Sequence, residues 1–152
     1  MEKKKYRMQW GSFIKRFLLW FLGIPINVVP VFFKQLGKIS IENFPGLAVL
    51  ASMTVADFDF SFISVSVVFV LCLEGFFADD ELSLMYKRCQ AICVIYSMVL
   101  VILYCVFFFN PDLYSIMNNH VAFIYNSVLI GLTIILGILC NATVSMKARV
   151  ST

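Results

Sequence analysis

The chain has 152 residues and a formal net charge of +3, and 61% of its residues are hydrophobic while only 14% are charged. Soluble domains average closer to half apolar and a quarter charged, so this chain has more apolar surface than a domain of its size buries in water. The composition therefore excludes an ordinary soluble enzyme or binding domain and predicts that most of the chain lies in lipid.

The first predicted element is a short basic arm, residues 1–11. Its charged residues are interleaved with the aromatic residues Tyr6 and Trp10, and the bases are Lys3, Lys4, Lys5 and Arg7. Polybasic segments beside a membrane span bind anionic headgroups, and aromatic side chains anchor at the interface. We therefore expect the arm to contact membrane lipids and not to bind nucleic acid directly.

The first predicted span covers residues 12–33 and includes the run FLLWFLGIPINVVPVFF. Pro25 and Pro30 each remove a backbone donor, so we expect a kinked transmembrane helix. The run is longer than the core of a signal peptide and no small-residue cleavage site follows it, which predicts that the span is retained.

The predicted outer loop, residues 34–59, is half apolar. Its stretch FPGLAVLASMTVAD is too short to cross a bilayer. We expect this stretch either to lie in the membrane interface or to extend the helix that follows.

Three further apolar runs, at residues 60–78, 90–109 and 121–141, have the length of about 20 residues that crosses the hydrocarbon core. The sequence thus predicts an all-α membrane protein with four transmembrane helices in one domain, residues 1–152. With four spans, ten Lys and Arg residues share the side of both termini and two lie on the other side. By the positive-inside rule both termini are cytoplasmic.

Acidic residues cluster where the second span ends. Glu74 lies inside the span, where an ionisable group is a functional candidate, although it also has interfacial water and basic partners within reach. Asp79, Asp80 and Glu81 follow as an acidic turn on a basic face, with Lys87 and Arg88 just beyond. Such a turn is either a solvated loop or a docking site for a cytoplasmic partner.

Small and polar residues recur at helical spacing within the spans. They include Ser61, Ser64 and Gly75 in the second span and Thr133 and Gly137 in the last. Such stripes let helices approach closely, within one chain or between copies. Asn27 and Asn126 are strongly polar and lie inside spans, so a pore lining is the alternative interpretation. The pattern favours packing.

No catalytic or cofactor motif is found. The five cysteines lack the spacing of a metal site, and no metal or cofactor is expected. The sequence therefore predicts a protein that is not an enzyme.

Taken together, the basic arm MEKKKYR, the proline-broken first span, the longer outer loop and the acidic turn ADDE resemble the membrane subunit of the Kiwa antiphage defence system. The resemblance implies a homo-oligomer that senses disturbance of the envelope by phage and recruits a soluble DNA-binding partner protein on the cytoplasmic side.

Three other functions fit the same architecture. Immunity proteins against pore-forming colicins also have Phe-rich helices and short loops. A small transporter or channel component requires a continuous polar path, which the sequence does not show. A phage holin is disfavoured, because the spans are long and the basic tail is short.

Overall fold

The computed structural model describes residues 6–39, 44–76 and 84–148, without the side chains of residues 6, 7, 74–76, 147 and 148. In chain order the elements are β1 (Tyr6–Met8), α1 (Trp10–Leu36), α2 (Leu47–Ala56), α3 (Phe58–Phe76), α4 (Leu84–Phe109), α5 (Pro111–Ser115), α6 (Asn119–Val144) and β2 (Met146–Ala148).

The helices confirm the predicted fold class, an all-α membrane protein. Within the described ranges, α1, α4 and α6 are each long and apolar enough to cross a membrane. Helices α2 and α3 reach that length and hydropathy only together, and they are bent by 69° at the break between them. The chain is therefore a multi-pass membrane protein with three spans, or four when the bent pair is one span.

The helices extend beyond the predicted spans. Helix α1 runs past residues 12–33 at both ends and continues through Pro25 and Pro30 without a break. Helix α4 begins six residues before the predicted start at residue 90, so that Lys87 and Arg88 are helical. Hydropathy marks only the part of a helix that matches the hydrocarbon core, whereas backbone hydrogen bonding continues into the interface.

The prediction of one outer loop at residues 34–59 is wrong in its boundaries. Helix α1 continues to Leu36, the ten-residue helix α2 occupies most of the apolar stretch, and α3 already begins at Phe58. An apolar segment forms a helix because its backbone groups find no water to bond with. Within the predicted arm, residues 6–8 form strand β1 and α1 already begins at Trp10.

The two ends of the described chain lie side by side. Strand β1 pairs with β2 in an antiparallel ladder that places Tyr6 opposite Ala148 and Met8 opposite Met146. The Gln9 backbone N–H also donates to the carbonyl of Ser145 at 3.0 Å. We call this end of the bundle the strand end and the opposite end the far end. A chain whose two described ends lie at the same end of the bundle crosses the membrane an even number of times. Four predicted spans meet this condition.

Helix α6 is the central helix, and it packs against α1, α2, α3 and α4. Its buried face repeats every three or four residues, as a helix face does. The buried residues along it are Ala122, Asn126, Leu129, Thr133, Gly137, Cys140, Asn141 and Thr143. The lipid-facing surface consists largely of exposed aliphatic and aromatic side chains on α1 and α4.

The closest approach between α1 and α6 is a tryptophan against a glycine. The Trp20 indole is buried, and its Nε1–H donates to the carbonyl of Val67 on α3 at 3.4 Å. A Cβ atom added to Gly137 would lie 2.1 Å from Cη2 of that ring. Gly137 therefore makes room for Trp20, which joins three helices.

We expect Gly137→Ala to lower the free energy of unfolding by about 1–3 kcal/mol, because the indole is enclosed and cannot yield without losing its packing. Unfolding in mild detergent, followed by tryptophan fluorescence, measures this loss. Gly131→Ala is the matched control, since nothing lies within 4 Å of a Cβ at that position on the same helix. Equal stability of the two variants would contradict the packing described.

Candidate functional site: a polar cluster at the far end

The site is built around the break between α2 and α3. Asp57 ends α2 in an extended conformation (φ −69°, ψ 141°). Its Oδ1 accepts a hydrogen bond from the backbone N–H of Asp59 at 2.9 Å, which satisfies a free donor in the first turn of α3. One aspartate thus terminates one helix and caps the next, and this fixes the bend.

The Asp57 carboxylate is held by three side chains from the end of α1 and the turn that follows it. Lys34 Nζ lies 3.0 Å from Oδ1, Lys38 Nζ lies 3.8 Å from Oδ2, and the Gln35 amide donates to Oδ2. The Asp57 side chain is only 7% exposed, so these partners replace the water it has lost. A carboxylate left alone there would be strongly destabilising.

Lys34 also joins the second aspartate. Its Nζ lies 2.5 Å from Oδ2 of Asp59, and both side chains are about half exposed. Two lysines and two aspartates therefore meet at the far end with no net charge. We call Lys34, Gln35, Lys38, Asp57 and Asp59, together with Tyr114 and Asn126 described next, the polar cluster.

Asn126 on α6 supplies the donors that the broken helix lacks. It is fully buried, and its Nδ2 lies 2.6 Å from the carbonyl oxygen of Val55 and 3.1 Å from that of Asp57. The last carbonyls of a helix have no partner within the helix, and leaving them unpaired in an apolar surrounding costs free energy. Asn126 thereby fastens the junction to the central helix.

Tyr114 on α5 completes the cluster. Its hydroxyl donates to the carbonyl of Ala56 at 2.9 Å and lies 3.1 Å from Nδ2 of Asn126. Burial raises the pKa of Tyr114 to about 12. A tyrosine hydroxyl is already protonated at physiological pH at its ordinary pKa, and the shift widens that margin. The ring of Phe58 packs edge-on against Tyr114, with 5.2 Å between ring centroids.

Two open clefts flank Lys34. The first, of about 310 Å³, lies at the tip of the bundle between the end of α1, the α2–α3 junction and Tyr114. The second, of about 380 Å³, runs along the side of the bundle between α1, α3 and α4. We call them the tip cleft and the side cleft. The charged atoms of the polar cluster are thus reachable from two directions.

The residues singled out from the sequence are dispersed. Asn126 belongs to the polar cluster, whereas Asn27 is half-buried and donates to the carbonyl of Gly23 in its own helix at 2.7 Å. Lys87 and Arg88 are exposed at the start of α4, remote in the fold from the polar cluster. The packing candidates Ser61, Ser64, Thr133 and Gly137 are buried within the chain.

The acidic candidates fall largely outside the described residues. Glu74 and Gly75 belong to the backbone of α3, without a described side chain, and Arg7 belongs in the same way to β1. The acidic turn Asp79, Asp80 and Glu81 and the arm residues Lys3, Lys4 and Lys5 lie outside the described ranges altogether. Their proposed roles remain predictions.

Sequence reasoning missed most of the polar cluster. The sequence prediction uses Lys34 and Lys38 for orientation alone and includes none of Asp57, Asp59 and Tyr114 among its candidate site residues. The available signal was opposite charge at the two ends of the segment 34–59. When a short segment connects two packed helices, its two ends lie close together, and side chains of opposite charge at those ends can form ion pairs.

The cysteines form a packing contact. Sγ of Cys93 on α4 and Sγ of Cys140 on α6 are 3.3 Å apart, both are buried, and both are free thiols. Across residues 6–39, 44–76 and 84–148, no group of three or more His, Cys, Asp or Glu side chains is arranged to hold a metal ion.

We expect Asn126→Ala to lower the free energy of unfolding by about 1–3 kcal/mol, because two carbonyls at the α2–α3 junction lose their donor. Chemical unfolding in detergent measures the loss. Asn141→Ala is the control: Asn141 is equally buried on the same helix, but its Nδ2 donates only to Gly137 within α6 among the bonds of the described chain. Equal losses of unfolding free energy in the two variants would show that the hydrogen bonds from α6 to the α2–α3 junction add no stability.

Comparison with known proteins adds no relative. No family model matches the chain, and neither the curated proteins nor the solved structures contain a significant match. The assignment therefore rests on the described helices themselves, which make this chain an all-α, multi-pass membrane protein.

Proposed function

We propose that this protein is a sensor and scaffold subunit of a bacterial inner membrane, which forms homo-oligomers and recruits a cytoplasmic partner protein in antiphage defence. In this proposal the chain has no enzymatic activity of its own. The antiphage setting derives from the resemblance to the membrane subunit of the Kiwa system. The homo-oligomer derives from the same resemblance, whereas the arrangement of the bundle supports the sensing role.

One observation carries the sensing role: helix α6 makes buried contacts at every level of the bundle. At the far end Asn126 holds the α2–α3 junction, in the middle Gly137 receives Trp20, and at the strand end Ser145 accepts the hydrogen bond from Gln9. A packed helix responds to displacement at one end as a unit, because close-packed interiors transmit strain. Helix α6 is thus suited to carry a change across the membrane.

The orientation supports the same function. Of the eight Lys and Arg residues in the described ranges, six belong to segments at the strand end, namely Arg7, Lys15, Arg16, Lys87, Arg88 and Lys147, and Lys34 and Lys38 are at the far end. The positive-inside rule then makes the strand end cytoplasmic and exposes the polar cluster to the periplasmic side. The polar cluster lies where an envelope disturbance arrives first.

The strand end supplies the proposed partner site. The acidic turn Asp79, Asp80 and Glu81 lies in the sequence between α3 and α4, a few residues before Lys87 and Arg88, which are exposed. Neighbouring patches of opposite charge orient an approaching protein and favour one docking geometry. A DNA-binding partner commonly carries basic surfaces, which an acidic turn complements.

Affinity purification from the native operon tests this function. We expect the tagged chain, extracted in mild detergent, to retain a soluble protein at a fixed ratio. The double variant Asp79→Lys and Asp80→Lys should lower the amount of that protein in the eluate at least tenfold, because charge reversal turns attraction into repulsion. Quantitative mass spectrometry of the eluate is the measurement.

Asp112→Lys is the matched control, since Asp112 is an exposed acid at the far end. It should leave the partner bound. Loss of the partner in both variants would indicate a general charge effect. Recovery of the wild-type chain alone and monomeric would contradict the proposal and would favour the colicin-immunity or transport functions.

A further inference from the structure

The side cleft combines an apolar groove with a charged end. Its apolar lining is formed by Pro30 and Val31 of α1 and by Phe62 and Ile63 of α3. Lys34 and Asp59 lie in the same cleft, joined at 2.5 Å. Phe62 is about half exposed, so the groove opens sideways onto the surface that faces lipid.

The dimensions indicate an amphipathic occupant. On α1 the cleft extends from Asn27 to Lys34. Seven residues of helix correspond to about 10 Å along the axis. An occupant therefore places an apolar chain along the groove and a polar head against the ion pair. A membrane lipid has this form, and its headgroup reaches the end of the spans where Lys34 lies.

The charges select among headgroups. The charged side chains that line the side cleft, Lys34 and Asp59, sum to zero, so a purely anionic headgroup meets a carboxylate beside the lysine. A head that carries both signs matches them. A lysine has three N–H donors, of which Lys34 uses two on Asp57 and Asp59, which leaves one for a phosphate oxygen.

A carboxylate and two aromatic rings are positioned to bind the ammonium group of such a headgroup. The Asp59 carboxylate has acceptor sites beyond its bond to Lys34. The rings of Phe62 and Tyr104 lie beside it in the cleft, with 5.3 Å between their centroids, and ring faces attract cations. A primary ammonium donates hydrogen bonds to the carboxylate, whereas a trimethylated ammonium has no N–H.

From this geometry we propose that the side cleft is a binding site for a phospholipid of the phosphatidylethanolamine class. The phosphate accepts from Lys34, the primary ammonium donates to Asp59, and one acyl chain lies along Pro30, Val31 and Phe62. This lipid site is independent of the function proposed above, because it does not involve the cytoplasmic partner protein.

Native mass spectrometry of the purified full chain tests the site. The protein is exchanged into detergent with an equimolar mixture of phosphatidylethanolamine, phosphatidylcholine and phosphatidylglycerol that share the same acyl chains. We expect retained phosphatidylethanolamine to exceed each of the other two about fivefold, the ratio that corresponds to about 1 kcal/mol from a partly exposed charge pair.

Asp59→Asn should reduce the preference to within about twofold, because the acceptor for the ammonium loses its charge. Phe62→Ala is a second variant that keeps the Asp57 pairs and should lower the preference by removing one ring. Asp112→Asn is the control, since Asp112 is exposed at the same end and does not line the cleft.

Three results would overturn the proposal. The first is equal retention of the three lipids by the wild-type chain. The second is a preference for phosphatidylglycerol, which would mean that the lysines alone select the headgroup. The third is an unchanged preference in Asp59→Asn, provided that this variant melts at the wild-type temperature.

Discussion

The structure depends on satisfying the backbone where α2 breaks from α3. Apolar surroundings offer no water to bond with a free carbonyl, so a break in a membrane helix persists only where the protein supplies partners. Asn126 supplies them from α6, and the lysines of α1 neutralise the carboxylate that ends the helix. The bend, the packing of α5 against the junction and the two clefts all follow from this arrangement.

The same arrangement gives the two ends of the bundle different characters. The far end is held by specific polar bonds that involve α1, α3, α5 and α6, whereas the middle is held by close packing such as Trp20 against Gly137. Buried polar networks are sensitive to the loss of a single member, while packed cores transmit displacement. In the proposed function, a lipid or an envelope stress that acts on the polar cluster reaches the strand end through α6.

Much of the fold was predictable and most of the site was not. Long apolar runs identify spans because the bilayer sets their length, and the stripe through Thr133 and Gly137 is visible at helical spacing. The break at Asp57 has only a weak local signal, since aspartate is a common helix cap but neither proline nor glycine stands at residues 56–58. Its partners are Lys34, 23 residues earlier, and Asn126, 69 residues later. Only the packing of the helices brings them together.

Hydrogen exchange across the whole bundle tests the central claim most directly, that α6 couples its two ends. Asn126 and the strand pair are separated by about 18 residues of helix, or about 27 Å. In Asn126→Ala, the account predicts faster amide exchange at α2 and also at residues 6–8 and 146–148, while the amides of α4 keep their wild-type rates. Faster exchange confined to α2 and α5 would contradict it.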